Sequence, residues 1–217
     1  AFFRNFLALL LLLGWHRSRF FGYFRTAHLK LHLLRGGLNV VAMLMFFTAV
    51  LITPLADVAA LGFTAPLFAS LLAIVVLRER LRWHRLLVIA FGFVGAVVIL
   101  RPGFAAVGQG PVLLLMSAAL WSVTMLVIKM IARTDSSVTI TVYMGSVMAP
   151  LSLLAALWFW QWPTLEQLGW FVVISALGTL GQVSLAQSFR IAEVTAVLPL
   201  DFMKLVWGSL LGFFIFA

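Results

Sequence analysis

The sequence predicts an all-α fold, a polytopic bundle of membrane-spanning helices. Of its 217 residues, 64% are hydrophobic and only 10% are charged, whereas about 25% of the residues of a soluble domain are charged. Long uncharged stretches recur along the chain, and a helix needs about 20 apolar residues to cross a bilayer with its backbone hydrogen bonds satisfied internally. The basic residues cluster in alternate connections between these stretches.

Eight segments are predicted as spans. The first, 2–14, would reach only about 20 Å as a helix, and we interpret it as the end of a crossing that begins before residue 1. A signal peptide is the disfavoured alternative, because Arg4 is the only basic residue there and no small-residue cleavage site follows Leu13. The other segments are 36–56, 58–77, 86–100, 111–128, 138–160, 168–189 and 194–217.

Short polar connections separate these segments. Asp57 alone interrupts a stretch long enough for two crossings, so the second and third segments should form a helical hairpin. Pro102 and Gly103 mark a turn after the fourth segment. The eighth segment is still apolar at residue 217, and we expect the parent chain to continue beyond it.

The distribution of positive charge predicts the orientation. Basic residues beside membrane spans stay on the cytoplasmic side. Twelve of them fall in alternate connections on one side, and only Arg101 falls on the other. Residues 15–35 and 78–85 are therefore predicted to be cytoplasmic, with Asp57, 101–110 and 161–167 on the opposite side. The net charge of +9 is explained by topology, so we predict a lipid bilayer as the partner and no nucleic acid.

A short pattern occurs twice. Ala56-Asp57-Val58 precedes Pro66 by a few residues, and Ala192-Glu193-Val194 precedes Pro199 in the same way. The acid and the proline are nine residues apart in the first copy and six in the second. Many secondary transporters contain two similar halves around a site near the bilayer midplane. We predict two repeats, residues 1–103 and 104–217, with Pro66 and Pro199 as candidate helix breaks.

At these residues the chain resembles the EamA-type branch of the drug/metabolite transporter superfamily. The resemblance rests on Phe63-Thr-Ala-Pro-Leu-Phe68, Glu79-Arg-Leu81, Gly92-Phe-Val-Gly95 and Ile99-Leu-Arg-Pro-Gly103, and resumes over 192–216. It implies ten helices in two five-helix repeats, of which about eight are present and the first and last are missing. The Gly-Glu that usually closes the second signature would lie beyond residue 217.

The resemblance also implies a function. Members are secondary transporters that move small polar metabolites, amino acid-like or similar, across the inner or plasma membrane by alternating access. A coupling proton or ion fits this mechanism. The alternatives left open are a channel or a non-transporting membrane subunit and, less favoured, a membrane-embedded enzyme, for which the sequence offers no catalytic constellation.

Asp201 and Lys204 are the leading candidates for substrate binding. A charge near the centre of a membrane helix costs at least about 2.5–3.5 kcal/mol on insertion scales. Their spacing of three residues places them on one helical face, where they could simply pair with each other. The functional alternative is that Asp201 binds a proton or a substrate amine and Lys204 a carboxylate.

Further substrate-binding candidates combine hydrogen-bonding capacity or an amphipathic ring with a position inside a predicted span. Each could instead be a helix-packing contact. They are Asn39, Thr64, Trp121, Thr124, Gln182 and Gln187. Gly208 and Gly212 have the small-residue spacing of closely packed membrane helices, compatible with an internal contact or a homodimer.

No cofactor or metal site is predicted. The chain has no cysteine, and therefore neither a disulfide nor a thiolate metal site. His28 and His32 have the i, i+4 spacing of helical metal ligands but lack the glutamate of a metalloprotease motif. We expect them to be solvated loop histidines.

Overall fold

The computed structural model describes residues 2–79, 83–100 and 108–216. In this part of the chain we find α-helices and short 3-10 helices and no β-strand. The helices are α1 (Phe2–His16), α2 (Leu29–Ile52), α3 (Leu55–Gly62), α4 (Ala65–Val76), α5 (Trp83–Leu100), α6 (Gln109–Ile131), α7 (Ser137–Ala156), α8 (Leu165–Ile191), α9 (Val194–Val197) and α10 (Met203–Phe216).

The fold class predicted from the sequence is confirmed. Five helical stretches of the described residues are long and apolar enough to cross a membrane: Leu29–Ile52, Asp57–Val76, Gln109–Ile131, Ser137–Ala156 and Leu165–Ile191. Helix α1 is a shorter apolar helix. The chain is therefore an all-α, polytopic membrane protein.

The start of the second span differs from the prediction. Helix α2 begins at Leu29, seven residues before the predicted start at Gly36, so 29–35 is helical and not an irregular connection. The polar residues of this stretch suggested solvation, but His32 and Arg35 are 2% and 3% exposed. They are accommodated because they make contacts with distant residues of the same compact unit, as described below.

Both segments that carry the acid–proline pattern are interrupted. Helix α3 ends at Gly62 and α4 begins at Ala65, with Pro66 in its first turn. In the last segment a 3-10 helix, Leu198–Phe202, contains Pro199 and separates α9 from α10. Proline lacks an N–H group and its ring crowds the carbonyl four residues back, which disfavours an uninterrupted α-helix at both places.

The chain forms two compact units. Unit one comprises Ala1–Val40 and Val127–Ile191, and unit two comprises Val41–Leu126 and Ala192–Ala217. Each unit thus draws on both predicted repeats, and α2 and α6 contribute one end to each. The predicted boundary between residues 103 and 104 lies outside the described residues, as do the Pro102-Gly103 turn and residues 80–82. The packing around Gly208 and Gly212 is also outside the described part.

Unit one is built on the mutual packing of α1, α7 and α8. Two glycines of this unit allow close helix contacts. A Cβ atom at Gly145 would lie 2.9 Å from Cγ and Cδ2 of Leu9, and a Cβ at Gly36 would lie 2.7 Å from Cβ of Val147. These distances are too short for real carbon atoms, so α1 and the start of α2 each approach α7 only because glycine occupies these positions.

In unit two a carboxylate joins two distant segments. Glu79, just after α4, accepts hydrogen bonds from the main-chain N–H groups of Val194 and Thr195 at 2.8 and 3.1 Å. It also accepts one from the Thr195 hydroxyl at 2.9 Å. The start of α9 is therefore capped by a side chain from the first half of the sequence.

Candidate functional site

Helices α1, α7 and α8 surround a small cavity inside unit one, which we call the α8 cavity. Its volume is about 30 Å³, room for roughly one water molecule or one functional group of a ligand. Six of its ten lining residues have polar side chains. The polar lining residues are Arg4, Asn5, Thr141, Ser175, Thr179 and Gln182.

Ser175 lies at the contact between α8 and α1. Its hydroxyl oxygen is 2.6 Å from the Phe171 carbonyl in its own helix and 3.0 Å from the Arg4 carbonyl in α1. The side chain is 1% exposed. A serine has one hydroxyl hydrogen, so Ser175 can donate to either helix, and its link to α1 can break without leaving the hydroxyl unpaired.

The polar residues of α8 share one helical face. Ser175, Thr179 and Gln182 are spaced i, i+4 and i+7, which places them along one side of the helix. Thr179 donates to the carbonyl of Ser175 at 2.6 Å, and Thr141 of α7 donates to the carbonyl of Ser137 at 2.9 Å. Each threonine oxygen thereby keeps lone pairs that a ligand donor can use.

The cavity lies well inside the length of α8. At 1.5 Å per residue, Arg4 is about 18 Å from the His16 end of α1, and Ser175 is about 15 Å from the Leu165 end of α8. The hydrocarbon core of a bilayer is about 30 Å thick. Ser175 therefore lies well inside α8, which is long and apolar enough to cross a membrane.

A larger cavity of about 360 Å³ lies at the connection between α7 and α8. It is lined mainly by aromatic residues, including Phe3, Trp162, Trp170 and Phe171, and Trp162 is 81% exposed. Tryptophan is enriched where a membrane protein meets the headgroups. We interpret this surface as part of such an aromatic belt, and the smaller polar cavity as the better candidate for a ligand site.

Three of the candidates predicted from the sequence lie in unit one. Gln182 lines the α8 cavity. The Asn39 amide nitrogen is 3.4 Å from the sulfur of Met144, a residue that also lines the cavity. Gln187 does not line it and accepts a hydrogen bond from Ser137 at 2.8 Å.

The other candidates lie in unit two. Asp201 and Lys204 form an ion pair, with side chains 37% and 65% exposed. Thr64 donates to the carbonyl of Leu61 at 2.6 Å, and Thr124 donates to that of Trp121 at 2.7 Å. The Trp121 side chain is exposed. The roles assigned to these residues stay predictions.

A buried network around Asp135 was not predicted from the sequence. The Asp135 Oδ2 atom lies 2.9 Å from His32 Nε2. It also accepts a hydrogen bond from the Thr26 hydroxyl, with 2.5 Å between the two oxygens. Desolvation raises the pKa of this carboxyl, but the hydrogen bonds from His32 and Thr26 outweigh it and hold the pKa below its ordinary value. The expectation that His32 is a solvated loop residue was wrong, because α2 begins early enough to bury its ring.

Arg35 was also missed as a candidate. Its Nη1 atom donates to the carbonyl of Ile140 at 3.0 Å, and its buried Nε atom has no hydrogen-bond partner. The sequence signal was present, because a cation one residue before an apolar run can equally belong to the helix. Arg35 was instead assigned to the cytoplasmic connection 15–35, because that connection contains several other basic residues.

Comparison with known proteins supports the predicted resemblance. Residues 1–101 match the EamA-like transporter family. The S-adenosylmethionine uptake transporter of Rickettsia bellii is 28% identical over 216 residues, which cover 100% of this chain and 74% of the relative. The riboflavin transporter of Vibrio cholerae is 32% identical over 196 residues, which cover 89% of this chain and 65% of the relative.

A solved crystal structure shows the same fold. It matches all of this chain and 88% of its own chain with a TM-score of 0.68 at 20% identity. At this identity the likeness bears on the fold alone. The chain is an integral multi-pass membrane protein whose residues 1–101 match the EamA-like transporter family, and it is similar over most of its length to named transporters of small metabolites.

Proposed function

We propose that the protein moves a small polar metabolite across the inner or plasma membrane by alternating access. The observation that carries this proposal is the α8 cavity, whose polar side chains include residues of α7 and α8, two helices long and apolar enough to span a membrane. Polar groups within membrane spans are costly to maintain and usually mark a substrate path. Binding at the midplane, with access alternating between the two sides, is the general plan of secondary transporters.

The substrate we propose is a polar metabolite with a planar heterocycle. The named relatives transport S-adenosylmethionine or riboflavin, and both compounds combine such a ring with several hydrogen-bonding groups. The hydroxyls of Thr141, Ser175 and Thr179 and the amide of Gln182 supply matching donors and acceptors. At its present volume the cavity holds one functional group, so the rest of the substrate requires the helices to separate.

The ion pair of Asp201 and Lys204 is proposed to contribute to substrate or proton binding. Ion pairs between exposed side chains are worth only about 0–1 kcal/mol. The ammonium group of a solute could therefore displace Lys204 from Asp201 at little cost. A coupling proton on Asp201 would break the same pair.

Uptake into proteoliposomes containing the purified protein tests the proposal. We expect saturable accumulation of radiolabelled S-adenosylmethionine or riboflavin, which a channel would pass without saturation and a non-transporting subunit would not pass. Ser175→Ala and Gln182→Leu should lower kcat/KM for the transported compound. The matched control is Ser188→Ala in the same helix, because the Ser188 hydroxyl only bonds the carbonyl of Ser184 at 2.9 Å. Equal transport by all three variants would exclude the α8 cavity as the site.

A further inference from the structure

A polar stripe runs along the first half of α2. His32, Arg35 and Asn39 are spaced by three and four residues and so lie on one face of the helix. This face is turned towards α7 within unit one. The His32 ring stacks on that of Tyr143 with centroids 4.3 Å apart, and Arg35 bonds the carbonyl of Ile140. We call these three residues the α2 stripe.

The charge of Arg35 is not matched by an acid. The side chain is 3% exposed and makes one hydrogen bond, to a neutral carbonyl. Among the described residues no carboxylate pairs with it, and nearby Asp135 is already bonded by His32 and Thr26. A guanidinium carries five N–H donors. A buried cation with so few partners is costly unless a further partner supplies negative charge.

The amide of Asn39, near Arg35 on the same helix face, also lacks a strong hydrogen-bond acceptor. The Asn39 amide nitrogen contacts only the sulfur atoms of Met144 and Met148, at 3.4 and 4.0 Å, and thioethers are weak acceptors. Nε of Arg35 is buried without a partner. The stripe therefore presents several donors, and one of its members carries a fixed positive charge.

We propose that Arg35 binds the carboxylate of the transported solute, with Asn39 donating a second hydrogen bond. The planar fork of a guanidinium matches the two oxygens of a carboxylate, which makes the pair stronger and more directional than a contact with an ammonium group. This inference rests on the proposed function and narrows it. The substrate is an amino acid-like metabolite with a free carboxylate, such as S-adenosylmethionine, and not a neutral compound such as riboflavin.

Alternating access explains how a buried arginine meets a solute. In this structure α7 covers the stripe, and Gly36 brings the two helices into close contact beside Arg35. Separation of α2 from α7 would expose the guanidinium and the Asn39 amide together. A bound carboxylate would then neutralise the charge before the helices close again.

The test compares S-adenosylmethionine with its decarboxylated analogue, which lacks only the carboxylate. Binding of each to the purified protein in phosphatidylcholine nanodiscs is measured by equilibrium dialysis, so that the result does not depend on transport and no anionic lipid competes. We expect the intact compound to bind at least about tenfold more tightly, since one charge-assisted contact is worth that much. Arg35→Gln should abolish this ratio, and Arg35→Lys should retain part of it.

Lys30→Gln is the matched control, because it removes an exposed positive charge from the same helix and should leave the ratio unchanged. If Arg35→Gln does not fold, Arg35→Lys and Asn39→Leu still report on the ratio. A ratio near one in the unmodified protein, or one that the Arg35 variants do not change, overturns the proposal. Carboxylate-selective binding without uptake into proteoliposomes would support the Arg35 site and refute transport. Uptake without carboxylate selectivity would support transport and refute the Arg35 site.

Discussion

Glu79 and Thr195 are joined twice, through the main-chain N–H and the side-chain hydroxyl of the threonine, at 3.1 and 2.9 Å. The backbone at Arg78 adopts φ 54°, a left-handed conformation that non-glycine residues rarely take. This bend directly precedes Glu79 at the end of α4. The start of α9, the first part of an interrupted span, is thus held by the end of α4.

Replacement of Glu79 should therefore loosen α9. Glu79→Ala removes three hydrogen bonds to the start of that helix and should destabilise the protein by about 1–3 kcal/mol. Hydrogen exchange measured by mass spectrometry should show faster exchange of residues 194–198 than in the unmodified protein. Glu166→Ala is the control, since Glu166 is exposed in the first turn of α8. Equal exchange at 194–198 in both variants would contradict the proposed anchoring.

The pairing of Asp135 predicts a pH dependence of stability. Because its pKa is lowered in the folded protein, Asp135 stabilises the fold fully above the unfolded pKa of about 3.9, and this contribution is lost as the pH falls through the folded value. Asp135→Asn should therefore lower the Tm at pH 7, and the difference should shrink below about pH 4. Glu166→Gln, at an exposed carboxylate, serves as the reference. A Tm difference that grows on acidification would refute this assignment.

The hydrophobic spans were readable from the sequence, but the polar interior was not. Apolar runs of sufficient length predicted the segments because backbone hydrogen bonding in lipid admits little else. The error at α2 arose from His32 and Arg35, whose contacts with Asp135 and Ile140 cross 103 and 105 residues of sequence. No local pattern encodes such distances.

The candidate site could be predicted from the sequence only in part. The spacing of Ser175, Thr179 and Gln182 on one face of α8 could have been recognised from periodicity alone, and Gln182 was selected. The contact between Ser175 and the Arg4 carbonyl spans 171 residues and depends on how α1 packs against α8. That packing is set by shape, for example by the glycine at 145 opposite Leu9.

The two close glycine contacts of α7 predict unequal effects of alanine. At Gly36 the added Cβ would overlap the β-carbon of Val147, which cannot move without its backbone, whereas at Gly145 it would meet the flexible end of Leu9. Gly36→Ala should therefore lower the free energy of unfolding by about 1–3 kcal/mol, the usual cost of an overpacked contact. Gly145→Ala should lower it less. Thermal unfolding of both variants measures this. Val147→Ala does not remove the overlapping β-carbon, so it should restore stability only partly, while Val147→Gly should relieve the overlap more fully.

The ion pair of Asp201 and Lys204 either stabilises its helix or binds substrate or a proton, and mutation distinguishes these two roles. Because both side chains are substantially exposed, Asp201→Asn or Lys204→Ala should change the stability of the folded protein by less than about 1 kcal/mol. If the residues bind substrate or a proton, the same variants should lose transport at normal expression. The charge-swapped double variant, Asp201→Lys with Lys204→Asp, keeps a pair of opposite charges three residues apart.

A purely structural pair would tolerate this swap, whereas a binding site would not, because the solute's ammonium group or the coupling proton would then meet a lysine in place of the Asp201 carboxylate. Initial uptake rates of the single variants and of the swapped variant in proteoliposomes decide between the two. We expect uptake to fall in all three. Full transport by Asp201→Asn would remove the proposed role of the carboxylate, and recovery of transport in the swapped variant would assign the pair to helix stability alone.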